Sequence, residues 1–177
     1  DPHSILFLGR LDAVKKPEIL LQALDILSKK QVAFKADIVG DPTPGREAFA
    51  RELKKQFSSI PNVTFKPAIR NDEAAAIYNA HSIYVNLTPS GSFDKTIGEA
   101  MASGCVVVAC NDAVKDVLPK ELFVSGLAPE SVAYGIHTAL MMPADKRAAF
   151  TKTLRDYIER EHSLSLLSKR LFDVLRR

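Results

Sequence analysis

The stretch Thr88-Pro-Ser-Gly-Ser-Phe-Asp-Lys-Thr-Ile-Gly-Glu-Ala-Met-Ala-Ser-Gly104 decides the fold of this chain. It begins as a polar loop and continues as a short helix, for which Asp94 is a favoured N-cap residue. Gly104 stands where a residue in the left-handed conformation would end that helix. The apolar runs 83–85 and 106–109 have the composition of buried parallel strands. The stretch therefore predicts a strand, a loop, a helix and a second strand in succession.

The start of this helix has the properties of an anion site. A helix that follows a parallel strand directs its first N–H groups and its positive dipole end into the crevice at the strand's carboxyl end. Lys95 and Thr96 fall in the first turn, where they add a charge and a donor for a phosphate, and Glu99 offers an acceptor for sugar hydroxyls. The alternative is that Asp94 only caps the helix and the other side chains are solvated.

The composition indicates a single globular domain without a metal site. The 177 residues are 46% hydrophobic and 25% charged, and the net charge of +3 with no basic and aromatic clusters gives no indication of nucleic acid binding. No apolar run approaches the length of a bilayer span. The four histidines are scattered, and Cys105 and Cys110 lack the spacing of metal or redox motifs. We predict core thiols in a reducing compartment.

Apolar segments alternate with helical patterns along most of the chain. The first helix begins at Pro17, where leucine and alanine residues recur at helical spacing. The predicted strands are residues 4–8, 36–39, 63–65, 83–85, 106–109 and 121–124. This alternation predicts an α/β fold, a Rossmann-like doubly wound parallel sheet of about six strands with a C-terminal helical tail.

The tail is predicted to be helical from Pro129 onwards. Its apolar stripes are interpreted as core contacts rather than as functional surfaces. They comprise Val132, Ile136, Leu140, Phe150, Leu154, Tyr157 and Ile158, followed by Leu164, Leu167, Leu171, Val174 and Leu175.

Three loops are expected to meet at one edge of this sheet, because parallel strands bind ligands at their carboxyl ends. The loop 10–16 after the first strand carries three cations, among them Arg10 and Lys15. Ile69 follows the third strand, and the segment 91–99 follows the fourth. Together the loops predict a diphosphate site, in which each charge-assisted hydrogen bond contributes roughly 1.5–3 kcal/mol. Alone, the loop 10–16 is more typical of a solvated basic loop.

Three motifs resemble the C-terminal, donor-binding domain of retaining GT-B glycosyltransferases of family 4, the glycosyl transferases group 1. They are Phe7-Leu-Gly-Arg-Leu11 with Lys15, then Tyr78-Asn-Ala-His-Ser-Ile-Tyr-Val85, then Gly98-Glu-Ala-Met-Ala-Ser-Gly104 with Val106-Val107. The resemblance covers nearly the whole chain and is most specific around Glu99. It implies a hexosyltransferase that moves a hexose from a UDP-sugar or GDP-sugar to an acceptor with retention of configuration.

The resemblance also implies roles for individual residues. Arg10 and Lys15, beside Gly9, would contact the diphosphate, Glu99 would hold the ribose hydroxyls, and Ile69 would face the base. Lys95 and Thr96 would offer backbone amides to a phosphate. The loop of Gly91, Ser92, Phe93 and Asp94 would meet the transferred sugar. Neither a cofactor nor a metal is expected, because basic side chains and the helix dipole offset the charge of the leaving group.

Two positions depart from the family pattern. The family has a glutamate eight positions before Glu99, where this chain has Gly91, and the loss of that acceptor leaves the sugar and the catalytic competence open. Asp94 stands where many members have glycine. It either hydrogen-bonds the sugar or caps the helix, and the cap is favoured because a carboxylate beside a diphosphate would repel it.

The chain starts directly at the first strand, so residues 1–177 are expected to be one nucleotide-sugar-binding domain without the N-terminal domain. That domain would recognise the acceptor: a sugar, a lipid-linked sugar or a glycan. We expect the segment alone to be inactive and the parent protein to be cytoplasmic, or peripheral to a membrane. The alternatives are a nucleotide-binding module without transfer activity and a related sugar-nucleotide epimerase or phosphorylase. A nicotinamide enzyme is not indicated, because no Gly-x-Gly-x-x-Gly follows the first strand.

Overall fold

The computed structural model describes residues 1–90 and 92–176, which form a parallel sheet flanked by helices. The strands are β1 Ser4–Leu8, β2 Lys35–Val39, β3 Val63–Lys66, β4 Ile83–Asn86 and β5 Val106–Ala109. The helices are α1 Pro17–Lys29, α2 Glu47–Gln56, α3 Ala74–Asn79, α4 Lys95–Ala102, α5 Pro129–Leu140, α6 Ala144–Glu161 and α7 Leu164–Leu175. Short 3-10 turns occupy Asn71–Glu73 and Asp112–Val114.

The strand order is β3-β2-β1-β4-β5, and every pair is parallel. In the centre, Leu6 of β1 lies opposite both Asp37 of β2 and Tyr84 of β4. The order runs outward from β1 in one direction to β3 and then reverses from β1 to β4, which confirms the predicted doubly wound topology. The five strands begin and end within one residue of the predicted bounds.

The sixth predicted strand, residues 121–124, is reduced to a single bridge between Ala109 and Phe123. Leu122 and Phe123 both donate backbone N–H groups to the carbonyl of Pro119, so the chain comes out of a turn immediately before the bridge. Val124 then bonds to Ala109 before the chain bends towards α5. The prediction of a strand was wrong here because these turns leave too few extended residues for a ladder.

Both faces of the sheet are buried, which explains why the strands are almost continuously apolar. Successive side chains of a strand point to opposite faces, so Ile5 joins the core beneath α1 and α5, and Leu6 joins the core beneath α4 and α6. Cys105 and Cys110 are buried free thiols, as predicted. Burial raises the pKa of Cys105 to about 12, so this thiol stays protonated.

The helical tail follows the prediction only in part. Val132 and Ile136 of α5 and Leu154 of α6 are fully buried, as expected of core contacts. The apolar residues of α7 predicted to be core contacts, Leu164, Leu167, Leu171, Val174 and Leu175, are instead more than half exposed. That prediction was wrong because α1 with α5 and α4 with α6 already cover the two faces of the sheet. Within the described residues, neither α7 nor any other helix has the length and hydropathy of a bilayer span.

Two glycines have positive φ angles that other residues rarely adopt, Gly104 before β5 and Gly40 after β2. Gly104 has φ +83° and follows the last turn of α4, which confirms its predicted place at the end of this helix. Gly40 follows β2 with φ +150°, and a Cβ on it would lie 1.9 Å from the carbonyl oxygen of Gly9. The backbones that leave β1 and β2 therefore approach one another more closely than any side chain would permit.

We predict that Gly40→Ala lowers the free energy of unfolding by about 3 kcal/mol, because the new methyl group meets a backbone carbonyl and must force β1 and β2 apart. Urea unfolding at pH 7 measures the change. Gly126→Ala is the matched control, since a Cβ there has nothing within 4 Å, and it should stay within about 0.5 kcal/mol of the parent. Equal effects of the two substitutions would contradict the role given to Gly40.

Candidate functional site

A cavity of about 530 Å³ lies at the carboxyl edge of the sheet. The loops that follow β1, β2 and β3 form its walls together with the first turns of α4. Its lining includes six of the residues selected from the sequence: Gly9, Arg10, Ile69, Lys95, Thr96 and Glu99. The loops that were expected to share one edge therefore do so, and they enclose a space large enough for a small-molecule ligand.

The loop between β1 and α1 is held by the buried carboxylate of Asp12. Asp12 Oδ1 accepts hydrogen bonds from the backbone N–H groups of Val14 at 3.1 Å and Lys15 at 3.3 Å. Its Oδ2 accepts one from Thr43 Oγ1 at 3.0 Å and lies 3.4 Å from Arg10 Nε. The Arg10 side chain is mostly exposed, but its backbone is fixed, so an anion in the cavity can bind without ordering the loop.

Lys15 is not among the described residues that line the cavity. Its Nζ donates to Asp94 Oδ2 at 3.0 Å, just before the first residue of α4. This ion pair joins the loop after β1 to the start of α4. Lys15 and the N-terminus of α4 therefore lie on the same rim of the sheet, as the diphosphate prediction requires, but the ammonium group faces a carboxylate.

Asp94 caps α4, which confirms the predicted N-cap. Its Oδ1 accepts hydrogen bonds from the Thr96 backbone N–H at 3.0 Å and from the Thr96 hydroxyl at 2.8 Å. The Thr96 amide that was expected to bind a phosphate is therefore already occupied, contrary to the prediction. The physical reason is that an N-cap side chain takes one of the free N–H groups of the first helical turn.

A buried polar network supports the start of α4. Asn86, the last residue of β4, donates from Nδ2 to Asp94 Oδ2 at 3.1 Å and to Thr96 Oγ1 at 3.2 Å. Asn86 Oδ1 accepts from the Thr88 N–H at 3.0 Å, and the Tyr84 hydroxyl donates to Thr96 Oγ1 at 2.8 Å. Because Asn86 and Tyr84 are buried, they hold Asp94 and Thr96 in one arrangement.

Glu99 lines the cavity one turn further along α4. Its Oε1 lies 3.3 Å from Lys95 Nζ, and its Oε2 accepts a hydrogen bond from the Tyr78 hydroxyl at 3.3 Å. Burial raises the pKa of Tyr78, so the phenol remains a donor at physiological pH. The carboxylate is thus oriented but still partly exposed to a ligand. Within residues 1–90 and 92–176, no group of three or more His, Cys, Asp or Glu side chains could hold a metal ion.

Residues 92–94, the described part of the loop before α4, do not line the cavity. The Phe93 ring stacks on His162, at the end of α6, with centroids 3.9 Å apart and planes inclined by 12°. A Cβ on Gly98 would lie 2.9 Å from the Phe93 ring, so glycine leaves room for this stacking. The Ser92 carbonyl accepts a hydrogen bond from Asn111 Nδ2 at 3.0 Å. Gly91, the predicted sugar contact in this loop, lies outside the described residues.

Sequence reasoning missed several residues of the site. The loop 40–44 after β2 lines the cavity beside Arg10, although the sequence indicated only a turn. Asn86 ends β4 and Asn111 follows β5, and both are buried. A polar residue at the carboxyl end of an apolar strand could have indicated these two asparagines, because ligands bind at that edge of a parallel sheet.

The segment from the start of β1 to near the end of α6 matches a known family. The model described as "Glycosyl transferases group 1" matches residues 2–160, a segment that contains every loop of the cavity. This chain belongs to the group 1 glycosyl transferases. The resemblance to the group 1 glycosyl transferases inferred from the three motifs is thereby confirmed, whereas membership of the retaining family 4 stays a prediction.

Relatives and solved structures of glycosyltransferases agree with this assignment. The D-inositol 3-phosphate glycosyltransferase of Streptomyces avermitilis is 27% identical over 161 residues, which are 87% of this chain and 32% of the relative. The chain thus spans about a third of that relative's length. The structure of Anabaena Alr3699/HepE in complex with UDP and glucose has a TM-score of 0.83 at 20% identity, over 98% of this chain and 48% of that one.

A structure of a separate domain matches as well. The C-terminal domain of a group 1 family glycosyl transferase (LpcC) from Francisella tularensis has a TM-score of 0.78 at 22% identity, over 92% of this chain and 87% of that domain. The glycosyl transferase fold of the present chain is therefore that of one half of a GT-B structure.

We predict that Asp94 stabilises this domain near neutral pH and that this contribution is lost in acid. Burial alone would raise the pKa of Asp94, but hydrogen bonds from Thr96, Asn86 and Lys15 lower it from 3.8 to about 2. A lowered pKa stabilises the fold above the unfolded value and loses that effect as the pH falls towards 2. Wild type should exceed Asp94→Asn in free energy of unfolding by about 2 kcal/mol at pH 6, and by about half of that at pH 3.

Urea unfolding at pH 6, 4 and 3 measures this difference. Asp25→Asn removes the same charge from an exposed pair with Lys29, and it corrects for the loss of one negative charge. A difference between wild type and Asp94→Asn that stays constant from pH 6 to pH 3 would show that the carboxylate is not stabilised by its neighbours.

Proposed function

We propose that this chain is the donor-binding domain of a retaining glycosyltransferase of family 4, which transfers a hexose from a UDP-sugar or GDP-sugar to an acceptor. The observation that carries the proposal is the cavity at the carboxyl edge of the sheet, where Arg10, Lys95 and the start of α4 meet Ile69 and Glu99. These groups supply positive charge, an apolar wall and a hydroxyl acceptor, which are the three requirements of a nucleoside diphosphate.

The diphosphate would bind between the loop after β1 and the first turn of α4. Arg10 and Lys95 both line the cavity, and the dipole of α4 adds positive potential. Negative charge develops on the leaving phosphate when the sugar–oxygen bond breaks. Positive groups at that point would stabilise the transition state, because they would offset the charge that develops there.

The nucleoside would occupy the part of the cavity beneath the loop after β3. Ile69, with Ala68 beside it, offers an apolar surface to the base. Glu99 would accept hydrogen bonds from the ribose hydroxyls, because Tyr78 already orients its carboxylate. The transferred sugar would extend towards the loop 91–94. No metal is required in this proposal, because the cations and the helix dipole offset the charge of the diphosphate.

Two proteins similar to this chain support a sugar-nucleotide donor. Alr3699/HepE was solved with UDP and glucose and with UDP-glucose, and the Streptomyces relative acts on D-inositol 3-phosphate. Since the present chain spans about a third of that relative, the acceptor would be recognised outside these residues. We propose a cytoplasmic parent protein in which an N-terminal domain brings the acceptor, and we expect the domain by itself to be inactive.

A second candidate is a nucleotide-binding module that transfers no sugar. Glycine occupies the position eight residues before Glu99, where the family has a glutamate, and this absence favours binding without turnover. An epimerase of the same fold would share the nucleotide cavity, whereas a phosphorylase would bind inorganic phosphate in place of a nucleotide. Product analysis with the full-length protein and UDP-glucose or GDP-mannose separates these cases, because only a transferase yields a glycosylated acceptor.

The first test is nucleotide binding by the purified chain. Calorimetry should detect UDP or GDP, and Arg10→Ala should weaken that binding by about tenfold or more, because a charged hydrogen bond to phosphate is lost. Arg51→Ala, on the exposed surface of α2, is the matched control and should leave the affinity unchanged. If the unsubstituted chain of 177 residues bound neither nucleotide, the donor-binding function would be refuted.

The second test concerns the ribose. Glu99→Gln should weaken the binding of UDP by about fivefold, since a neutral amide oxygen is a poorer acceptor than a carboxylate. The substitution should have no effect on 2′,3′-dideoxy-UDP, which lacks the hydroxyls. An equal loss for both ligands would assign Glu99 to another part of the donor. Glu52→Gln, exposed on α2, controls for the change in charge.

A further inference from the structure

The cations around the cavity are neutralised within the chain itself. Each of the three that were assigned to the phosphates has a carboxylate close to it. The pairs are Arg10 with Asp12 at 3.4 Å, Lys15 with Asp94 at 3.0 Å, and Lys95 with Glu99 at 3.3 Å. A diphosphate that enters must therefore compete with these carboxylates for positive charge.

The pair between Lys15 and Asp94 is the most shielded of the three. The side chains of Lys15 and Asp94 are 21% and 16% exposed, whereas Arg10 and Lys95 are 62% and 73% exposed. Exposed ion pairs contribute little because water and salt screen them, and shielding strengthens the attraction. Lys15 is thus the cation that is held most firmly by an internal partner.

Asp94 does not depend on Lys15 for its position. Its carboxylate also accepts hydrogen bonds from the Thr96 amide, the Thr96 hydroxyl and Asn86 Nδ2. These donors are neutral and remain in place if the lysine leaves. The carboxylate would then stay ionised at the start of α4, where it can receive Lys15 again.

Lys15 lies close enough to the cavity to change partners. A Cβ on Gly9 would lie 3.8 Å from both Cγ and Cδ of Lys15, so the aliphatic part of the lysine passes beside Gly9. Gly9 lines the cavity, whereas Lys15 and Asp94 are not among its described lining residues. Because the lysine side chain is a flexible four-carbon stem, rotation about its bonds would turn the ammonium from Asp94 towards the cavity while the backbone stays in place.

We propose that Asp94 is a specificity-determining residue of the donor site, which holds Lys15 outside the cavity until the diphosphate displaces it. The proposal rests on the donor-binding function given above. The carboxylate substitutes for a phosphate oxygen in the unliganded domain. A ligand without phosphate leaves the pair intact, and a nucleoside diphosphate gains Lys15 at the expense of the pair.

The experiment is a double-mutant cycle on nucleotide affinity. Calorimetry with UDP, GDP and uridine is performed on the parent chain, Asp94→Asn, Lys15→Met and the double variant, each first shown to be folded by circular dichroism. Asp94→Asn should bind the preferred nucleoside diphosphate about fivefold more tightly, because Lys15 is no longer retained by a carboxylate. The gain should vanish in the Lys15→Met background, and uridine affinity should not change.

Other outcomes overturn the proposal in distinct ways. Weaker diphosphate binding by Asp94→Asn would make Asp94 a residue that positions Lys15 for the phosphate. A gain that persists in the Lys15→Met background would assign the effect to the field of the carboxylate and not to the exchange. Unchanged affinity removes the role of Asp94 but leaves the donor-binding function intact, whereas no nucleotide binding by any variant refutes both.

Asp94→Ser provides a second route to the same answer. A serine hydroxyl can still cap α4 by accepting the Thr96 amide, but it carries no charge to retain Lys15. It should reproduce the gain in diphosphate affinity. Asp25→Asn is the control for the loss of one negative charge, because its pair with Lys29 lies on the exposed surface of α1, and it should bind nucleotide like the parent.

Discussion

The reversal of strand order between β1 and β4 is the constraint on which the site depends. Because β1 pairs with β2 on one side and with β4 on the other, the chain after β1 forms α1 on one face, and the chain after β4 forms α4 on the opposite face. The two connections diverge at the carboxyl edge and leave a crevice between them. Hydrophobic burial on both faces fixes the sheet, and the crevice is a consequence of that topology.

The charged side chains beside this crevice form pairs within the chain. Buried neutral donors, chiefly Asn86 and the Thr96 hydroxyl, hold the Asp94 carboxylate, and Asp94 in turn holds Lys15. These internal pairs keep the rim of the crevice close to neutral, which avoids the repulsion between unpaired cations. Under the proposal made for Asp94, this arrangement would lower the affinity for phosphate while it stabilises the unliganded fold. The family resemblance alone gives no reason for this balance, since many members have glycine at this position.

Amphipathic periodicity predicts which residues are apolar together but not whether a surface is available to cover them. The stripes of α5, α6 and α7 are equivalent signals in the sequence. The stripe of α5 is buried and that of α6 is buried or half-buried against the sheet, whereas the residues of α7 remain exposed. The difference arises because a sheet has two faces, and four other helices occupy them. Residues 121–124 likewise have the composition of a strand, but the turns around them leave only one bridge.

The sequence by itself determined the five strands, the cap at Asp94, the end of α4 at Gly104 and the edge at which the loops meet. These features depend on local propensity and on the apolar pattern, and both are properties of residues that are close together in the sequence. Only the tertiary structure decided that Lys15 faces Asp94, that the Thr96 amide is occupied, and that Phe93 stacks on His162. Those contacts join residues that are remote in sequence or compete for one partner, and the choice between partners depends on three-dimensional distances that a linear pattern does not contain.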